Sequence, residues 1–153
     1  MATFYGEKYN VAENFSPATE NPGAVSTWGG KLRIQVDKRK VTANEVDFSG
    51  DDTIRVAKIP KGGTVLYARL KAANLEAANG GELNLGYGAN SNQFVADANA
   101  NAAIDVNTGW LMGVGAVTMS EDTDITIKPA NAVAADKLKA NETLETLVVY
   151  AID

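Results

Sequence analysis

Residues 51–70 read DDTIRVAKIPKGGTVLYARL. Two apolar runs flank Pro60-Lys61-Gly62-Gly63. In the first, Ile54 and Val56 alternate with Arg55 and Ala57, and the run ends at Ile59. In the second, Leu66, Ala68 and Leu70 alternate with Val65, Tyr67 and Arg69. Period-two alternation is the mark of a strand with one buried face. A helix is disfavoured, because β-branched residues crowd both runs and Pro60 would break it. Proline presets φ for position i+1 of a turn, and glycine takes positive φ without a Cβ clash. The stretch therefore predicts a β-hairpin with a slightly long loop.

Working outward, the same period recurs. KLRIQVD (31–37) sets Leu32, Ile34 and Val36 against Arg33, Gln35 and Asp37, as in a half-buried strand. Lys38-Arg39-Lys40 then reads as a solvated turn, and KVTANEVDF (40–48) as a strand with a bulge near Ala43-Asn44. GELNLGYG (81–88) is a short strand. NSNQFVADANANAAID (90–105) is alanine-rich with Asn90 or Ser91 as a cap, and predicts a helix of two or three turns. A strand is expected near 111–119 and another over Ile125 and Ile127, closed by Pro129. NAVAADKLKANE (131–142) fits a short helix or a loop. TLETLVVYAID (143–153) is apolar on both faces toward its end, as expected of a central strand. The pattern is mainly all-β: an antiparallel β-sandwich or jelly-roll-like barrel with one or two short helices.

Residues 1–30 differ from the domain over 31–153. They contain Pro17, Pro22, Gly23, Gly29 and Gly30 and lack a regular period, which reads as an extended N-terminal arm. Yet Phe4, Tyr5, Tyr9, Phe15 and Trp28 lie in this segment, and flexible linkers are poor in aromatics. Large rings in an irregular segment need burial, either on their own domain or on a neighbouring subunit.

Composition narrows the function. The 153 residues are 45% hydrophobic and 22% charged, which suits a single globular domain. No apolar run reaches the roughly 18 residues of a membrane helix, and MATFYGEKYN lacks the form of a secretory signal. There is no cysteine, so disulfides, zinc–thiolate sites and cysteine nucleophiles are excluded. There is no histidine either, which removes the commonest general base and the middle member of a Ser-His-Asp triad. A net charge of −5 argues against nucleic acid as a partner. The composition points to a non-enzyme with no cofactor.

The remaining chemical patterns are weak. Asp97, Asn99, Asn101 and Asp105 have the spacing of part of a calcium loop, but Ala102 stands where glycine is needed and Thr108 where a closing glutamate belongs. GYG (86–88) and GVG (113–115) lack the rest of any nucleotide-binding motif. Glu45, Asp47, Asp51 and Asp52 offer carboxylates for a glycosidase, but the three aspartates flank a turn, where Asp serves backbone hydrogen bonding. Trp28, Trp110, Tyr67 and Tyr87 are candidate platforms for sugar, against the commoner role of packing in a core or interface.

Two stretches and the C-terminus also carry a resemblance. RVAKIPKGGTVLYARLKAANL (55–75), LNLGYGANSNQFVADA (83–98) and LETLVVYAID (144–153) are similar to segments of tailed-bacteriophage head decoration, or cement, proteins, over roughly 45–153. The resemblance implies a β-rich virion protein, made in the host cytoplasm, that binds the capsid exterior in many copies. It implies the major capsid protein as partner and a dimer or trimer of the chain itself. On that reading Phe4, Tyr5, Tyr9, Phe15 and Trp28 are the expected interface anchors, since buried aromatics dominate interface energetics. The alternative is a carbohydrate- or receptor-binding β-sandwich module.

Overall fold

The computed structural model describes residues 3–5, 31–42, 52–73, 75, 81–100, 102–111, 115–130 and 138–152. Among these residues ten strands run in the order β1 (Thr3–Tyr5), β2 (Lys31–Lys40), β3 (Thr53–Ile59), β4 (Thr64–Ala72), β5 (Glu82–Tyr87), β6 (Asn90–Asn99), β7 (Ile104–Asn107), β8 (Val117–Thr118), β9 (Thr123–Pro129) and β10 (Thr143–Ile152). Sheet A has the order β1-β3-β9-β5-β6, and sheet B the order β2-β10-β4-β7 with β8 added to β4. Every pairing is antiparallel except β1 with β3.

The pairing follows one rule. β5 pairs with β6, β4 with β7, β3 with β9 and β2 with β10. This is a long hairpin, closed at β5–β6, wrapped so that successive rungs fall alternately in the two sheets. It is a jelly roll, the second architecture the sequence predicts. Ile54, Ile59, Leu70, Leu85, Ile125, Ile127 and Leu144 are fully buried in one core. Each such side chain contributes about 1.5–3 kcal/mol relative to exposure. β10 lies between β2 and β4, as its two apolar faces require.

Four expectations change. The opening stretch forms two strands but no hairpin: β3 belongs to sheet A and β4 to sheet B. Pro60–Gly63 is a corner between the sheets. Pro60 sits at the first position of the turn, not the second: the Gly63 N–H donates to the Pro60 carbonyl at 2.9 Å, and Gly62 takes φ +83° at position i+2. The corner is tied to the segment before β9. Gly62 N–H donates to Met119 O at 2.8 Å, Met119 N–H to Gly63 O at 2.9 Å, and Lys61 N–H to Asp122 Oδ1 at 2.9 Å.

The helix expected over 90–105 is instead β6 and β7. Among the described residues there is no α-helix. Register shifts in the β5–β6 ladder, and Asp97 at φ +51°, break the alternation that would have marked β6 as a strand. Phe94 and Val95, adjacent in sequence, are both buried. Lys38-Arg39-Lys40 is the end of β2 rather than a turn, and Arg39 is buried. Of the strand expected over 111–119, Val117–Thr118 is what forms among the described residues, and 112–114 lie outside them. The strand expected over 40–48 and the segment 131–137 lie outside the described residues, apart from Lys40 at the end of β2, buried Val41 and exposed Thr42. In the arm, the backbone of Thr3–Tyr5 pairs in parallel with Thr53–Arg55, setting Phe4 beside Ile54 and Tyr5 beside Arg55.

Candidate interaction surface

The alternation in β2 is real, but its sign is reversed. Leu32 is 58% exposed, Ile34 61% and Val36 41%, whereas Asp37 and Arg39 are buried. Among the described residues the strand lies at the edge of sheet B, and its inward-facing Gln35 reaches Lys58 of β3. Polar side chains find partners there. The Gln35 side-chain amide donates to Lys58 O at 2.8 Å and accepts from Lys58 N–H at 3.0 Å, so it closes on β3 like a strand residue.

The apolar side of β2 continues across the sheet. Ile34 stands opposite Val149, which stands opposite Tyr67; Val36 stands opposite Leu147, and Leu32 opposite Ala151. Val149 is buried but lies apart from the core cluster, consistent with cover from these outer-face neighbours. Trp110, 64% exposed, packs on Tyr67 with ring centroids 5.5 Å apart and planes 42° apart. Its backbone is pinned on both sides of Tyr67. Thr108 N–H donates to Ala68 O at 3.0 Å, Ala68 N–H donates to Thr108 Oγ1 at 3.1 Å, and Leu111 N–H donates to Leu66 O at 2.7 Å. A large exposed ring on a backbone fixed this way has less freedom to lose when it is covered.

Charge borders the patch on one side. Lys38 Nζ lies 3.9 Å from Glu145 Oε2, and Arg69 makes a two-pronged contact with Asp105 at 2.7 and 2.6 Å. The hydrogen bond from Arg69 holds the Asp105 carboxyl below the usual carboxylate range, with the Arg69 and Lys71 charges adding to it and desolvation opposing. The outer face of sheet B thus has an apolar centre and a charged margin, the anatomy of a protein interface.

The other candidates sort as follows. Of the expected anchors, Phe4 and Tyr5 lie in β1, described by backbone register alone, and Tyr9, Phe15 and Trp28 lie outside the described residues. Asp105 is committed to Arg69 and Asp97 lies within β6, so the suspected calcium loop is two strands. Glu45, Asp47 and Asp51 lie outside the described residues. Tyr87 packs on buried Phe94 at 5.9 Å, as a core margin residue does. The sequence reading missed Leu32, Ile34 and Val36 as exposed residues. Their period fixes a face, but only the strand's place at the sheet edge says which face meets water.

The sequence matches no protein-family model and no curated protein. The fold does have relatives. A chain of the Ralstonia phage GP4 capsid superposes with a TM-score of 0.68 at 16% identity, covering 99% of each chain. One in the cyanophage Pam1 capsid asymmetric unit gives 0.62 at 17% identity, covering 90% of this chain and all of the other. One in the acid-stable capsid of Helicobacter pylori bacteriophage KHP30 gives 0.52 at 13% identity, covering 81% and 90%. The chain therefore shares its jelly roll, over nearly its whole length, with chains in solved phage capsids.

Proposed function

We propose that this protein is a non-enzymatic structural component of a bacteriophage virion, one that binds the capsid exterior and holds neighbouring subunits of the major capsid protein together. The observation that carries the reading is the outer face of sheet B: an apolar patch with an exposed tryptophan packed on Tyr67 and a charged margin. Exposed apolar patches of this kind mark sites of association. The capsid origin of the fold relatives supports a virion role, although fold alone does not assign one.

Adhesion is the whole mechanism on this reading. A standard contact buries about 800 Å² on each partner. A copy that touches two subunits detaches only when both contacts open together, so modest contacts gain strength from effective concentration. Binding to the assembled shell alone stabilises that state by mass action. Phe4, Tyr5, Tyr9, Phe15 and Trp28 of the arm are the proposed anchors on the shell. The test is co-sedimentation with capsids that lack the protein. The triple variant Tyr9→Ala, Phe15→Ala, Trp28→Ala should stay folded and pellet at least tenfold less than wild type; full occupancy by that variant rejects the anchors.

The Tyr67–Trp110 pair favours a second reading, a carbohydrate-binding module. Glycan-array binding that is lost in Trp110→Ala and Tyr67→Ala would favour it over the first.

A further inference from the structure

We infer that β2 pairs edge to edge with β2 of a second copy of this chain, antiparallel and centred on Ile34. The two sheets treat their adjacent edges differently. On sheet A, β1 covers Thr53–Arg55 and the Gln35 amide covers Lys58. On sheet B, β2 runs for 10 residues, and among the described residues no strand lies on its far side. An open edge with exposed apolar side chains is a template for another strand.

The direction of the free backbone groups follows from the loop beyond β2. Val41 N–H donates to Glu142 O at 2.9 Å, and Val41 O accepts from Asn141 N–H at 2.8 Å. Val41 thus faces β10, and the regular register places the odd residues of β2 with it. Leu32, Ile34 and Val36 therefore turn their N–H and C=O groups to the open edge. These are the residues with exposed apolar side chains.

The register follows from the sequence Lys31-Leu32-Arg33-Ile34-Gln35-Val36-Asp37-Lys38-Arg39-Lys40. Only a pairing that opposes even residues to even residues makes ladder hydrogen bonds. Centred on Ile34, it sets Ile34 on Ile34 and Leu32 on Val36, and it leaves Lys38-Arg39-Lys40 beyond the apolar segment. Centred on Arg33, it opposes Arg33 to itself. Centred on Gln35, it opposes Leu32 to Lys38 and Lys31 to Arg39; centred on Val36, it opposes Ile34 to Lys38 and Leu32 to Lys40. Like charges directly opposite, or apolar groups opposite lysine, destabilise a ladder, so the centre at Ile34 wins. The two-fold axis stands perpendicular to the sheet, so both outer faces look the same way. The pairing stands apart from the capsid reading; its consequence, a doubled patch facing one shell, rests on it.

The absence of cysteine gives a clean test. Opposed residues at a hydrogen-bonded site have Cα atoms about 5.5 Å apart, within disulfide range. In the full chain, Ile34→Cys should form a covalent dimer on mild oxidation. Val36→Cys alone should not, while Leu32→Cys mixed with Val36→Cys should. Wild type should sediment as a dimer, and Ile34→Lys, or Ile34→Thr should the lysine variant misfold, should sediment as a monomer with an unchanged circular dichroism spectrum. A monomeric wild type, or a dimer in which Ile34→Cys stays uncrosslinked, overturns the proposal. Capsid co-sedimentation of the same variants reports separately on the capsid reading.

Discussion

At Gly63 a single added carbon decides whether the corner closes. A Cβ there would lie 2.6 Å from Ile59 Cγ2 and 2.9 Å from the Pro60 carbonyl oxygen, and Ile59 is fully buried. Gly63→Ala should cost about 1–3 kcal/mol through overpacking. It should lower the urea midpoint and leave the slope unchanged. Arg69–Asp105 gives a second prediction at this scale. Because the folded-state pKa of Asp105 is depressed, the pair's contribution is full above the ordinary carboxylate range and is lost as pH falls through the depressed value. The stability gap between wild type and Asp105→Asn should be flat near neutral pH and should close on acidification. Both groups are exposed, so the gap is small; denaturation curves over a pH series measure it.

Among the elements, β2 carries the most consequence. Gln35 joins it to β3 through two hydrogen bonds to Lys58. Gln35→Leu leaves a part-buried N–H and C=O without partners and should cost about 1–3 kcal/mol. Gln35→Glu keeps the acceptor and loses the donor, so its loss in melting temperature should fall between wild type and Gln35→Leu. Five strands were legible as period-two runs, at 31–37, 54–59, 64–70, 83–87 and 125–127, and the C-terminal strand as a run apolar on both faces. Sheet membership was not, because a corner and a hairpin use the same turn residues, and Pro60–Gly63 shows no local difference. β6 was hidden because its bulges place Phe94 and Val95 both inside, while its alanines and asparagines imitate a capped helix. The exposed stripe was hidden because alternation is symmetric: Leu32-Ile34-Val36 reads the same pointing in or out.

For the whole molecule, the jelly roll explains why a chain without cysteine or histidine needs no staple. Its core joins both sheets, and the first and last strands of the wrapped hairpin, β2 and β10, lie side by side. That arrangement leaves the outer face of sheet B for the proposed adhesion and the β2 edge for the proposed self-pairing. Placing charge at the apolar centre of the face, as in Ile34→Lys with Leu147→Lys, should abolish association while leaving the core side chains untouched, which unchanged near-ultraviolet circular dichroism would check. The most direct measurement is cryo-electron microscopy of capsids assembled with the protein bound. The account predicts density of this jelly roll on the outer surface, in fixed ratio to the major capsid protein, with each copy touching two subunits. Capsids that bind none of it, or hold it only inside, would contradict the account.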